Sequence, residues 1–152
     1  MFVCTGNTCR SPLAEALARR DAQKRGIDAT FASAGTGAAL GSPATDGAIL
    51  VGLERGVDLS RHRSRPLLPA AVTGDTVVLA MSPGHLVGIR AVVQNARAFL
   101  LDEYGSHATS MTSIVDPYGG DLADYRVAAD AIEAMLGGVL DRLVVESARG
   151  TA

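Results

Sequence analysis

Apolar positions along this chain follow two rhythms. Residues 76–81 (Thr-Val-Val-Leu-Ala-Met) form a short, continuous, β-branched run, the mark of a strand buried on both faces. Residues 1–3, 30–34 and 98–101 read as three further short strands. Between them lie longer stretches in which Ala, Leu and Val recur at helical spacing. The spacing predicts helices over 11–25, 46–55, 83–94 and 122–145. Gly26 and Gly56 suit helix stops, Ser11 and Asp46 suit N-caps, and Pro12 and Pro83 suit first helical positions. Gly137-Gly138 predicts an irregularity in the last helix. Residues 36–45, with Gly37, Gly41, Ser42 and Pro43, read as turns.

Strands alternating with helices predict an α/β fold. The expected arrangement is a single-domain, four-stranded parallel sheet with helices on both faces, a three-layer flavodoxin-like or Rossmann-like architecture over 1–152. The chain has 152 residues, 47% of them apolar, enough for a substantial core. Its formal charge of −2 gives no reason to expect a nucleic-acid or membrane partner. No basic segment leads into a long apolar run, so a signal peptide is not expected and the expected location is cytoplasmic. Two cysteines make no disulfide framework. Cys4 and Cys9 show no zinc-ligand spacing with His62, His85 or His107, so neither metal nor cofactor is expected.

The chemistry concentrates in Cys4-Thr5-Gly6-Asn7-Thr8-Cys9-Arg10-Ser11-Pro12, between the first strand and the first helix. A tight loop there turns its N–H groups inward as an anion nest, and the helix N-terminus adds its dipole. Arg10 can grip two phosphate oxygens. A thiol beside an arginine at a helix N-terminus is readily a thiolate, so Cys4 is the candidate nucleophile. Gly6 is expected to supply backbone freedom, and Asn7 to tolerate a left-handed conformation and hold the loop. Ser11 is placed to hydrogen-bond the Cys4 sulfur. The spacing alone is cheap in an arginine-rich chain; its position at a strand–helix junction is what carries weight. The basic run Arg61-His62-Arg63-Ser64-Arg65 reads as a solvated loop, with recruitment of acidic substrate as the alternative.

These nine residues resemble the P-loop of the low-molecular-weight protein tyrosine phosphatases. Asp116-Pro117-Tyr118-Gly119-Gly120 is similar to that family's general-acid loop, and Ser33-Ala34-Gly35 to the loop after its second strand. The matches keep the family's order across nearly the whole chain. The resemblance implies a phosphocysteine mechanism on a phosphorylated protein. Cys4, Arg10 and Asp116 would be catalytic; Thr5, Gly6, Asn7, Thr8, Cys9, Ser11 and Tyr118 would bind substrate or phosphate. Taken alone, Asp-Pro followed by Gly is ordinary turn chemistry. Tyr118 is read as lining the cleft, and Asp121, Asp124 and Glu103 as surface or capping residues. Cys9 is either a small core residue or the partner of a protective disulfide with Cys4, as in family members carrying this second cysteine. A monomer or weak dimer is expected.

Thr8 stands where tyrosine-directed members carry an aliphatic residue. The resemblance is therefore closest to the protein arginine phosphatase branch, in which this threonine marks selectivity. The segment Thr36-Gly37-Ala38-Ala39-Leu40 offers no ring where tyrosine-directed members supply one, and the acid loop offers only Tyr118. Phosphoarginine is the expected substrate and phosphotyrosine the alternative. An arsenate reductase would need further cysteines for its relay, and a phosphate-binding module would have no use for Cys4 together with Asp116.

Overall fold

The computed structural model describes residues 1–106 and 113–150, so His107 lies outside the described residues. Four short strands, β1 (Phe2–Cys4), β2 (Ser33–Gly35), β3 (Val77–Ala80) and β4 (Arg97–Leu100), form one sheet in the order β2-β1-β3-β4. Every pairing is parallel, with Phe2 opposite Ser33 on one side and Leu79 on the other. The helices are α1 (Arg10–Lys24), α2 (Asp46–Glu54), α3 (Pro83–Val92), α4 (Leu101–Ser106) and α5 (Leu122–Gly150).

Alternation along the strands divides the core in two. Phe2, Cys4, Val77 and Leu79 join Leu13 and Leu17 of α1 and Ile132 and Leu136 of α5 in the larger cluster. Val3, Val78 and Ala80 face the other way, onto Ile89 of α3 and Leu100. Each fully buried Leu or Ile contributes about 1.5–3 kcal/mol, so the sheet is held from both faces. Strand order reverses beside β1, and a crevice at the carboxyl end of that strand is where such folds bind ligands. Cys4 is its last residue.

The structure departs from the sequence pattern at several places. α1 starts at Arg10, and Cys9 stands at its N-cap position without a side-chain cap bond, so Ser11 does not cap it. Thr45, not Asp46, caps α2 by accepting from Ala48 N. β2 begins at Ser33, the first of its residues that pairs with β1. α4 follows β4 without a break, in a segment too short to show helical periodicity. α5 runs on through Gly137-Gly138. The reason is packing: a Cβ on Gly138 would lie 1.6 Å from the Gly105 carbonyl oxygen, so this glycine lets α4 and α5 touch backbone to backbone. Asp121 and Asp124 form a reciprocal capping box at the start of α5, each side chain accepting from the other's N–H.

Candidate active site

Cys4 ends β1, and the chain curls through residues 5–9 before α1 begins. Among the described residues, the backbone N–H groups of Thr5, Gly6, Asn7, Thr8 and Cys9 donate to no protein acceptor. Five consecutive donors without partners at a helix N-terminus make a preorganised anion nest. The turn rests on Asn7, whose φ of 54° is the one positive value at a described non-glycine residue. Gly6 is not at positive φ, and a Cβ there would meet only Thr8 Oγ1 at 3.4 Å, an ordinary contact. The left-handed step is therefore taken by Asn7. Behind the loop, a Cβ on Gly35 would come within 2.3 Å of Thr5 O, so β2 approaches the loop closely only as glycine.

Asn7 is fully buried and its amide is fully used. Nδ2 donates to Ser11 Oγ and to Ser33 Oγ, both at 2.9 Å, and Oδ1 accepts from Arg65 N at 3.0 Å. Glu15 sets the direction of this network. Its buried carboxylate only accepts, so Ser33 Oγ donates to Glu15 Oε2 at 2.6 Å and must itself accept from Asn7. Ser11 Oγ, already accepting from Asn7, lies 2.9 Å from Cys4 Sγ and can donate its hydrogen to a thiolate. His62 Nε2 holds Asn7 O at 2.7 Å. Two members of the basic run thus brace the loop, which the solvated-loop reading did not anticipate.

Arg10 is buried, with Nη1 donating to Ile114 O at 3.1 Å and Nη2 paired to Asp116 Oδ2 at 2.7 Å. Its Nε is a buried donor without a partner among the described residues, a hydrogen that a phosphate oxygen would accept. Asp116 is half-exposed and reaches the cradle because Ile114 N is tied to Met81 O, at the end of β3. Its other oxygen accepts from Tyr118 N at 3.2 Å, so the turn and the ion pair coexist in one carboxylate. On the far side, Thr5 Oγ1 meets His85 Nε2 at 2.9 Å, and Ser82 Oγ meets Nδ1 at 3.0 Å. Burial, reinforced by Arg10 and opposed by Asp116, pushes the His85 pKa below its ordinary value, so the ring bridges as neutral imidazole.

Cys4, Thr5, Gly6, Thr8, Cys9, Arg10, Asp116 and Tyr118 line one cleft of about 790 Å³, which Ser42, Thr45 and Asp46 extend. Asn7 and Ser11 do not line it; they stand behind it and fix its shape. Cys9 Sγ lies 3.3 Å from Thr45 Oγ1 and 3.8 Å from the Tyr125 hydroxyl, and both cysteines are free thiols. Local sequence carried no signal for the roles of His85 and Glu15 in the site, since the site partners Thr5 and Ser33 lie 80 and 18 residues away. Ser33 at least fell within a recognised motif. Among the described residues no cluster of His, Cys, Asp or Glu is arranged to hold a metal ion.

Residues 1–149 match the low molecular weight phosphotyrosine protein phosphatase family. The chain belongs to that family. A protein-arginine-phosphatase of Geobacillus stearothermophilus is 37% identical over 148 residues, covering 96% of each chain. The low molecular weight protein-tyrosine phosphatase A of Mycobacterium tuberculosis is 35% identical, covering 92% of this chain and 88% of its own. Among solved structures, a cysteine-to-serine mutant of the YwlE arginine phosphatase, with its active-site serine phosphorylated, superposes with a TM-score of 0.87. It is 35% identical and covers 93% of each chain. The protein is a cysteine-dependent protein phosphatase, and its substrates are phosphorylated proteins. No described helix of this phosphatase is long and apolar enough to cross a membrane.

Proposed function

We propose that this phosphatase hydrolyses phosphoarginine on proteins. The observation that carries the reading is the cleft wall, where polar Thr8 and the carboxylate of Asp116 face an opening that, among the described residues, holds one aromatic side chain, Tyr118. A phenyl ring would find little to stack against there. A guanidinium would find a carboxylate of the kind that already pairs with Arg10, at 2.7 Å. The similarity to protein-arginine-phosphatases supports the same reading.

Phosphate enters the nest of residues 5–9, and Arg10 Nε supplies the donor now without a partner. Cys4 Sγ attacks phosphorus in line; the S–P bond forms as the P–N bond breaks. Asp116 acts as the general acid, giving a proton to the departing guanidinium nitrogen. Charge on the equatorial oxygens meets donors already in position, with no reorganisation at the moment of reaction. In the second step Asp116, now a carboxylate, takes a proton from water as the water oxygen attacks phosphorus. The S–P bond breaks, releasing inorganic phosphate and a thiolate that Ser11 stabilises by hydrogen bonding. Thr8 forms the part of the wall that senses the polarity of the leaving group.

The test compares kcat/KM on phosphoarginine and phosphotyrosine peptides for the wild type and Thr8→Ile. Phosphoarginine is expected to be preferred by the wild type, with the preference falling or reversing in the variant. Preference for phosphotyrosine in both proteins would overturn the phosphoarginine reading and leave a tyrosine phosphatase with a polar wall.

A further inference from the structure

Charge in the cleft is distributed in a way that the two-step reaction does not use. Among the described residues its charged lining consists of Arg10, Asp116 and Asp46. Arg10 and Asp116 neutralise each other across 2.7 Å. Asp46 engages no ion pair among the described residues and is exposed. An unpaired carboxylate on the wall of a site built for a phosphate dianion repels the substrate as it enters. It would serve binding only if the substrate brought a positive charge of its own.

Asp46 is also held firmly. Its neighbour Thr45 donates its backbone N–H to Thr8 O at 3.0 Å, tying the start of α2 to the phosphate loop, and caps α2 with its hydroxyl. Position 46 is therefore the first residue of a helix braced directly on the cradle. Its backbone is anchored to the phosphate loop rather than carried on a free loop. Glu54, Asp130 and Glu133 pair with arginines on helix surfaces away from the site, and among the described residues other acids such as Asp58 and Asp75 also lack an ion pair; what sets Asp46 apart is that it lines the cleft.

We infer that Asp46 is a specificity-determining residue that pairs with a lysine or arginine adjacent to the phosphorylated side chain, directing the enzyme to basic segments of its protein substrates. The inference rests on the phosphatase reading of the cleft and not on the choice between phosphoarginine and phosphotyrosine. A first-turn acid also complements the dipole of α2, a purely structural role. That role would alter stability but not the choice between peptides.

The experiment measures kcat/KM for two phosphopeptides identical except for a neighbouring Lys or Glu, in the wild type, Asp46→Asn and Asp46→Arg. The wild type is expected to prefer the Lys peptide. The ratio should fall about threefold in Asp46→Asn and about tenfold in Asp46→Arg, the scale of an exposed ion pair removed or reversed. The wild-type preference should shrink at high salt. A ratio that stays the same in all three proteins overturns the inference, whatever happens to the separate rates. Failure of the wild type to hydrolyse p-nitrophenyl phosphate would instead refute the reading of the cleft on which the inference stands.

Discussion

Replacing Asn7 by alanine tests whether one buried amide holds the phosphate loop in shape. The side chain makes three hydrogen bonds, to Ser11 Oγ, Ser33 Oγ and Arg65 N, at 2.9, 2.9 and 3.0 Å. At about 1 kcal/mol each, their loss removes about 3 kcal/mol. The φ of 54° adds about 1–2 kcal/mol, because alanine tolerates the left-handed region less well than asparagine. Together these predict a destabilisation of about 4 kcal/mol, or roughly 12 °C in Tm for a domain of this size. Asn7→Gly loses the same bonds without the strain, offset in part by glycine's greater freedom when unfolded. It should therefore lie about 0.5–1 kcal/mol above the alanine variant. Thermal and urea unfolding of the three proteins give both quantities, and p-nitrophenyl phosphate turnover should fall in both variants as the nest loses its brace. An alanine variant within about 1 kcal/mol of wild type, or one more stable than the glycine variant, would refute the reasoning.

Two further expectations follow from packing and protonation. Gly138→Ala should cost about 2–3 kcal/mol, because its methyl would collide with the Gly105 carbonyl, whereas Gly137→Ala, with nothing within 4 Å of its Cβ, should stabilise by about 0.5–1 kcal/mol; urea titrations of both variants check the pair. His85 has a folded pKa below its ordinary 6.5, so the unfolded chain binds a proton that the folded protein resists. Its contribution therefore turns against the fold as pH falls below about 6.5 and vanishes above it. Unfolding free energies measured across this range should drop less steeply on acidification in His85→Gln than in the wild type; equal slopes would show that another group is responsible.

Much of this protein could be read before any fold was known, because the information was local. A strand needs only a continuous apolar run, and the phosphate loop needs only its nine residues between a strand and a helix. The predicted strand at 76–81 and the observed one at Val77–Ala80 agree because burial on both faces leaves no other use for such a run. Cys4 and Arg10 stood out as a candidate anion cradle, whereas Asp116, 106 positions beyond Arg10, read by itself as a turn and entered as a candidate only through the family resemblance. What the sequence could not supply was anything set by long-range approach. Ser11 suited both a helix cap and a place beside the Cys4 sulfur, and only the second contact forms, because Cys9 stands at the N-cap position. His62 and Arg65 looked like solvated charge and brace Asn7. Gly138 looked like a helix defect and is a point of contact with α4. Nothing local marked Glu15 or His85 for the site, since their bonds to Ser33 and Thr5 form only on folding, and Asp46 read as a helix cap rather than as part of the cleft wall. Local propensity and residue chemistry decided which elements form and which atoms react; packing decided which polar groups meet, and so how the reacting atoms are held.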